Sequence, residues 1–97
     1  MKKQLARLTR RKKKEQPAVG FVLINVAPAY ENTVHTKLAK VPEIVELYSL
    51  FGEYDLIAKI ETKNFERLGS IIISKIRSIE GIIDTRTLTA TRAIVEC

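Results

Sequence analysis

Few of the residues that build catalytic and metal sites are present in this chain. It contains no tryptophan, a single histidine (His35) and a single cysteine (Cys97). One cysteine excludes both an intramolecular disulfide and a zinc site with several thiolate ligands. His35 falls on the solvent face of a predicted helix, and Cys97 has no preorganised base beside it. The sequence therefore predicts no catalytic residue, no metal site and no cofactor, which argues against an enzyme.

Long apolar runs are absent as well. No stretch approaches the roughly 20 apolar residues that a membrane-spanning helix needs, so we expect no membrane partner. The single cysteine suits a reducing compartment, and we expect a cytoplasmic protein. A chain of 97 residues forms one domain at most, and its core is thin unless a second subunit covers part of it.

The net charge of +6 is concentrated at one end of the chain. Residues 1–16 carry eight basic groups and one acidic group, whereas the remaining residues carry nine basic and ten acidic groups. We expect a flexible basic tail over 1–16 and a nearly neutral domain over 17–97. Such a tail can contact DNA non-specifically through its phosphates, although a solubilising arm has the same composition. The candidate nucleic-acid contacts are Arg7, Arg10, Arg11, Lys12, Lys13 and Lys14.

Apolar periodicity predicts six elements in the order β-α-β-β-α-β. The predicted strands span 18–27, 44–51, 54–61 and 82–91, and the predicted helices span 29–40 and the segment between Asn64 and Gly81. This order is the α+β, ferredoxin-like arrangement, with a four-stranded antiparallel sheet and both helices on one face. The first strand is apolar on both faces, which predicts a central, fully buried strand.

The second strand also suggests that the uncovered sheet face has a partner. Its alternation places Val45, Leu47 and Phe51 on one face and Tyr48 and Leu50 on the other. A bare apolar sheet face in a folded protein needs a partner. We therefore expect a dimer in which two sheets face each other.

Two polar features are candidates for ligand binding. Gly52 permits an open backbone turn, and the nearby carboxylates of Glu53 and Asp55 can receive an ammonium group. The alternative is a plain hairpin turn with solvated acids. In the last strand, alternate positions carry hydroxyls that can donate and accept hydrogen bonds; these are Thr85, Thr87, Thr89 and Thr91. The alternative is an ordinary β-branched polar face, because threonine favours strands.

Several segments resemble the effector-binding domain of the Lrp/AsnC transcription regulators, called RAM for regulation of amino acid metabolism. The similarity lies in the first strand over 18–26, the link over 41–46, and the hairpin Gly-Glu-Tyr-Asp over 52–55 with its strand over 56–60. It continues in the passage Ile-Glu-Gly-Ile over 79–82 and in Thr-Arg-Thr-Leu-Thr over 85–89. The resemblance covers residues 18–91.

The resemblance implies an amino-acid-sensing, oligomerising module. It implies a dimer formed through the sheets, an octamer-type ring of dimers, and an amino acid effector bound between dimers. Carried over by position, the resemblance implies a turn side formed by Gly52, Glu53, Tyr54 and Asp55, and a strand side formed by Thr85, Thr87 and Thr89. The family usually carries a helix-turn-helix domain, which residues 1–16 are too short to form. We therefore expect a stand-alone form that acts through a partner such as a full-length Lrp/AsnC regulator.

Two other functions fit the same sequence less well. One is a nucleic-acid-associated protein that acts through the basic tail. The other is an enzyme of the dimeric α+β barrel type, which shares this fold but needs a polar pocket that often carries histidine or tryptophan. The absence of tryptophan and the exposed position expected for His35 argue against the enzyme.

Overall fold

The computed structural model describes residues 17–91 and 94–95, so the basic tail and Cys97 lie outside the described residues. The observed order of elements is β-α-β-β-α-β, as predicted. The elements are β1 (Ala18–Val26), α1 (Glu31–Ala39), β2 (Ile44–Ser49), β3 (Leu56–Thr62), α2 (Phe65–Ile71) and β4 (Ile82–Ala90). α2 continues directly into a π-helical turn over Ile72–Ile76.

The strands form one four-stranded sheet in the order β2-β3-β1-β4. Each neighbouring pair is antiparallel. β1 is therefore a central strand, as expected, and β4 is an edge strand. The buried side chains of α1 and α2 join those of β1 and β3 in one apolar cluster, which places both helices on the same face of the sheet. This arrangement confirms the ferredoxin-like fold.

The core lies between the helices and one face of the sheet, and the other face is only half-buried. Burial along β1 alternates strictly, with buried residues such as Val22 and Ile24 separated by half-buried ones such as Phe21 and Leu23. The prediction of a fully buried first strand is therefore wrong. The reason is that no element in the described part of the chain covers the face that carries Phe21 and Leu23.

A β-bulge changes the faces predicted for β2. Ile44 pairs with Ile60 and Leu47 pairs with Ala58, with a register shift between Ile44 and Glu46. Both Ile44 and Leu47 consequently pack against the core, while Val45 is 48% exposed. The expected grouping of Val45 with Leu47 is wrong, because one extra residue in a bulge breaks the two-residue alternation of a strand.

The second helix begins directly after its capping residue, Asn64. The side chain of Asn64 accepts a hydrogen bond of 2.8 Å from the backbone N–H of Arg67, which satisfies one of the free donors at the helix start. Leu68, Ile72 and Ile76 are buried, as their spacing predicts. Phe65, by contrast, is 55% exposed at the first position of the helix.

Candidate ligand-binding site

The turn between β2 and β3 is longer than the tight Gly52-Glu53 hairpin that the sequence suggests. β2 ends at Ser49 rather than at Phe51, and β3 begins at Leu56 rather than at Tyr54. The backbone N–H of Leu50 donates to the carbonyl oxygen of Asp55 at 2.9 Å and closes the loop. Gly52 has a φ of +127°, a region that glycine adopts readily. The loop therefore projects freely, with Phe51 and Glu53 exposed.

Asp55 fixes this loop to the central strand. Its backbone N–H donates to the carbonyl oxygen of Ile24 at 2.9 Å, and its carboxylate accepts a hydrogen bond from the backbone N–H of Val26 at 2.8 Å. The β1–β3 ladder ends at the pair Ile24–Leu56. In a longer ladder, a backbone carbonyl of β3 would accept the hydrogen bond from Val26. Here the Asp55 carboxylate accepts it instead. A structural role for Asp55 stands beside its predicted role as an ammonium acceptor.

The threonines of β4 share one face, as the two-residue alternation predicts. Thr85, Thr87 and Thr89 lie opposite Ile24, Val22 and Gly20 of β1. Those β1 residues are buried on the helix side of the sheet, so the three hydroxyls lie on the helix side too. Thr87 and Thr89 are nevertheless exposed, and Thr85 is half-buried. Thr91 is exposed just beyond the end of β4.

One protomer does not bring all the predicted site residues together. Leu56, which follows the turn, and Thr85 both pair with Ile24. Two strand spacings therefore separate them, or about 10 Å. Thr89 lies four residues further along β4, or about 13 Å from Thr85. The turn and Thr85 thus occupy the same end of the sheet, while Thr87 and Thr89 are progressively further away.

A groove beside the threonines includes residues that the sequence analysis did not single out. It has a volume of about 370 Å³ and lies between the π-helical turn and the edge strand. Its lining residues are Ile72, Arg77, Ile82, Ile83, Asp84, Thr85 and Thr87. A cationic residue and two threonines on the helix side of β4 therefore line one small depression. No local pattern signals this cluster, because it depends on how the end of the helix meets the strand that follows it.

Two backbone irregularities flank the groove. On the helix side, the backbone N–H of Arg77 donates to the carbonyl oxygen of Ile72 at 2.9 Å, which is the five-residue spacing of a π-helix. On the strand side, Val26 pairs with Ile82 and Asn25 with Asp84, so Ile83 is an extra residue in a bulge. π-bulges and β-bulges are both frequent at functional sites. Neither can be read from the apolar periodicity, which assumes regular elements.

Other chemistries find no support in the part of the chain that the structure describes. Residues 17–91 and 94–95 contain no group of three or more histidine, cysteine, aspartate or glutamate side chains that could hold a metal ion. His35 is exposed on α1, as predicted. No helix among these residues is long and apolar enough to cross a membrane. The tail cations from Arg7 to Lys14 lie outside the described residues.

Comparison with known proteins identifies the family. The family model of the Lrp/AsnC ligand binding domain matches residues 19–97. The chain belongs to the Lrp/AsnC family. The HTH-type transcriptional regulator FL11 of Pyrococcus furiosus is 43% identical over 70 residues, which are 72% of this chain and 46% of the regulator. FL11 of Pyrococcus horikoshii is 41% identical over 70 residues, again 72% of this chain and 46% of the regulator. This Lrp/AsnC domain thus spans about half the length of the curated relatives that it matches, and those relatives are transcription regulators.

Solved structures show the same fold. FFRP-DM1 has a TM-score of 0.72 and 40% identity, with 75% of this Lrp/AsnC chain and 97% of that chain covered. TTHA0845 of Thermus thermophilus has a TM-score of 0.76 and 34% identity, and the match covers 81% of this chain and 99% of that chain. A regulator of Neisseria meningitidis, NMB0573, was solved as a complex with L-Met. It shares the fold, with a TM-score of 0.76 and 14% identity, and the match covers 98% of this chain and 73% of that chain.

Proposed function

We propose that this Lrp/AsnC domain binds a free amino acid and that binding controls how copies of the chain assemble. The observation that carries this proposal is the row of Thr85, Thr87 and Thr89. Their hydroxyls share the helix side of the sheet, yet at this edge strand Thr87 and Thr89 are exposed and Thr85 is only half-buried. An uncovered row of groups that both donate and accept hydrogen bonds suits a small polar ligand.

The separation of the turn from the far end of the row favours a site shared between subunits. Thr89 is too far along β4 to reach the turn of its own protomer, since four residues of strand span about 13 Å. A ligand that contacts both features would bridge two chains, with the residues around Gly52 and Asp55 on one side and the hydroxyls on the other. Such a ligand stabilises the assembly that completes the site, by differential affinity.

The uncovered sheet face supports the assembly part of the proposal. Phe21 pairs with Leu88, and Leu23 pairs with Ile57, so these side chains adjoin on one face. Tyr48 extends the group through its pairing with Ile57. We name these five residues the open-face patch. Leu88 and Tyr48 are 51% and 57% exposed, and an apolar group of this kind fits a second copy of the same face.

Native mass spectrometry of the purified protein, with and without the twenty standard amino acids, tests the proposal. We expect a dimer or larger assembly that gains the mass of one amino acid per site. Thr87→Val keeps the side-chain shape and removes the hydroxyl, so it should lose the mass shift. Thr33→Val, on the exposed side of α1, is the matched control and should keep it. An assembly that gains no mass from any of the twenty, with folding verified by circular dichroism, would rule the sensor out.

A further inference from the structure

The groove between the π-helical turn and β4 holds a cation without a partner in the described chain. Two other cations of the same helix are paired: Arg67 lies 3.9 Å and Lys75 lies 3.3 Å from the carboxylate of Glu43. Arg77, which follows the π-helical turn, forms no ion pair within 4.0 Å with any residue of the ranges 17–91 and 94–95. Its guanidinium is therefore available to an anion from outside this protomer.

The π-helical turn determines which side of the helix carries Arg77. In an α-helix the N–H of residue 77 would bond to residue 73, but here it bonds to the carbonyl oxygen of Ile72. One extra residue in the turn rotates everything after it by about 100° around the helix axis. Ile76 stays buried and Ile73 is 62% exposed, while Arg77 comes to line the groove beside β4.

The opposite wall supplies hydrogen-bond donors. Thr85 and Thr87 line the groove, and neither hydroxyl is hydrogen-bonded to another side chain or backbone group within the described ranges. A guanidinium binds a carboxylate through two parallel N–H···O bonds, and hydroxyls on the facing wall can donate to the same oxygens. The arrangement therefore suits a carboxylate.

The size of the groove suits a ligand as small as an amino acid. Asp84 is also among the lining residues, but its pairing with Asn25 places its side chain on the other face of the sheet from that of Thr85. Ile72 and Ile82 contribute the smaller, apolar part of the lining. The volume of about 370 Å³ lies at the small end of the range for ligand sites, about 300–1,000 Å³.

We propose that Arg77, together with the hydroxyls of Thr85 and Thr87, binds the α-carboxylate of the effector. This assignment rests on the proposed function and adds a binding residue to it. In the site proposed above, the groove then forms the strand side, opposite the turn around Gly52 and Asp55 of a second protomer. The π-helical turn then orients Arg77 toward the site.

Binding of α-amino acids and of their α-carboxamides by the full chain tests the assignment. The probes are the twenty standard L-amino acids and, for each one that binds the wild type, the carboxamide that removes its carboxylate charge. Isothermal titration should show that the wild type prefers the acid to the amide by about tenfold or more, since a charge-assisted pair is lost. Arg77→Gln should bind the acid about tenfold more weakly and lose most of this preference. Lys75→Gln, on the same helix, should keep both.

The ratio of acid affinity to amide affinity distinguishes the loss of a carboxylate contact at Arg77 from a general disturbance of the fold. A variant that only disturbs the fold weakens both probes equally, whereas loss of a carboxylate contact weakens the acid alone. If Arg77→Gln retains the wild-type preference, Arg77 does not bind the carboxylate, and the proposed function stands because the wild type still binds. If the wild type binds none of the twenty amino acids, the proposed function itself fails and the assignment fails with it.

Discussion

The carboxylate of Asp55 accepts a hydrogen bond from the backbone N–H of Val26 at a distance of 2.8 Å. This bond joins the loop between β2 and β3 to the end of the central strand. It lies where the β1–β3 ladder stops, so the side chain acts as one more acceptor for β1. The residue that the sequence suggests as an ammonium acceptor is also part of the scaffold that holds the turn.

Replacing Asp55 by alanine should therefore destabilise the protein whether or not a ligand binds there. The N–H of Val26 would lose its acceptor in a partly buried position, which costs about 1–3 kcal/mol of unfolding free energy. Asp55→Asn keeps a side-chain oxygen that can accept the bond and should cost less. Chemical denaturation of both variants at one protein concentration measures the difference.

The same pair of variants separates the structural role of Asp55 from a ligand role. Asp55→Asn removes the charge that an ammonium group would require while it preserves the acceptor. If this variant folds as the wild type does and loses amino acid binding, the charge contacts the ligand. Equal stability of the alanine variant and the wild type would show that the bond to Val26 does not hold the loop.

Gly81 lies between the second helix and β4. Both its backbone conformation and its neighbours require glycine at this position. Its φ is +102°, and a Cβ atom at this position would lie 2.7 Å from the Cβ atom of Tyr30. We expect Gly81→Ala to reduce the unfolding free energy by about 2 kcal/mol or more, since strain and overpacking add. Gly69→Ala is the control, because Gly69 lies in α2 and a Cβ atom added there would meet nothing within 4 Å. It should be neutral or stabilising by up to about 1 kcal/mol, and a loss of stability as large as that of Gly81→Ala would contradict the explanation.

Ala29 adopts a backbone conformation that glycine prefers. Its φ is +76°, it follows Pro28, and the N–H of Tyr30 donates to the carbonyl oxygen of Ala27 at 3.0 Å. These features describe a type II turn with alanine at the position that favours glycine. The left-handed conformation costs alanine roughly 1–2 kcal/mol, while glycine adds unfolded-state entropy worth about 0.4–1 kcal/mol. Ala29→Gly should therefore be stabilising by up to about 1 kcal/mol.

The same alanine-to-glycine change at a residue with ordinary helical geometry should have the opposite effect on stability. Ala39→Gly, at the exposed last residue of α1, should be destabilising, by less than the roughly 1 kcal/mol that glycine costs inside a helix. The two midpoints of thermal unfolding should lie on either side of the wild-type value. Two shifts in the same downward direction would mean that the conformation of Ala29 is not strained.

The parts of the site that the sequence could predict are those governed by a local rule. Thr85, Thr87 and Thr89 share a face because strand alternation holds without interruption between them. The rule failed at Val45 and Ile83, where bulges add a residue to one strand only. It also gave no sign of Arg77, whose place depends on the π-helical turn and on the contact between helix end and edge strand. Packing between elements, rather than the pattern within them, created the groove.

The open-face patch should hold the protein in a dimer, and Leu88 offers the sharpest test of this expectation. Leu88 is 51% exposed and lies beside Phe21 on β1, so its side chain adds to the apolar surface without contributing to the core. Leu88→Glu would bury a carboxylate from each protomer at a symmetric interface. The dissociation constant of the dimer should rise about 30-fold or more, as for a central interface residue.

Analytical ultracentrifugation over a range of protein concentrations measures this change. Phe65→Glu is the matched control, because Phe65 is 55% exposed but lies in the first turn of α2 and outside the open-face patch. A dimer for the wild type and for Phe65→Glu, with a folded monomer for Leu88→Glu, would locate the interface on the sheet. A folded Leu88→Glu dimer with unchanged affinity would instead mean that the subunits meet elsewhere, and a monomeric wild type would mean that the exposed sheet face has no partner of its own kind.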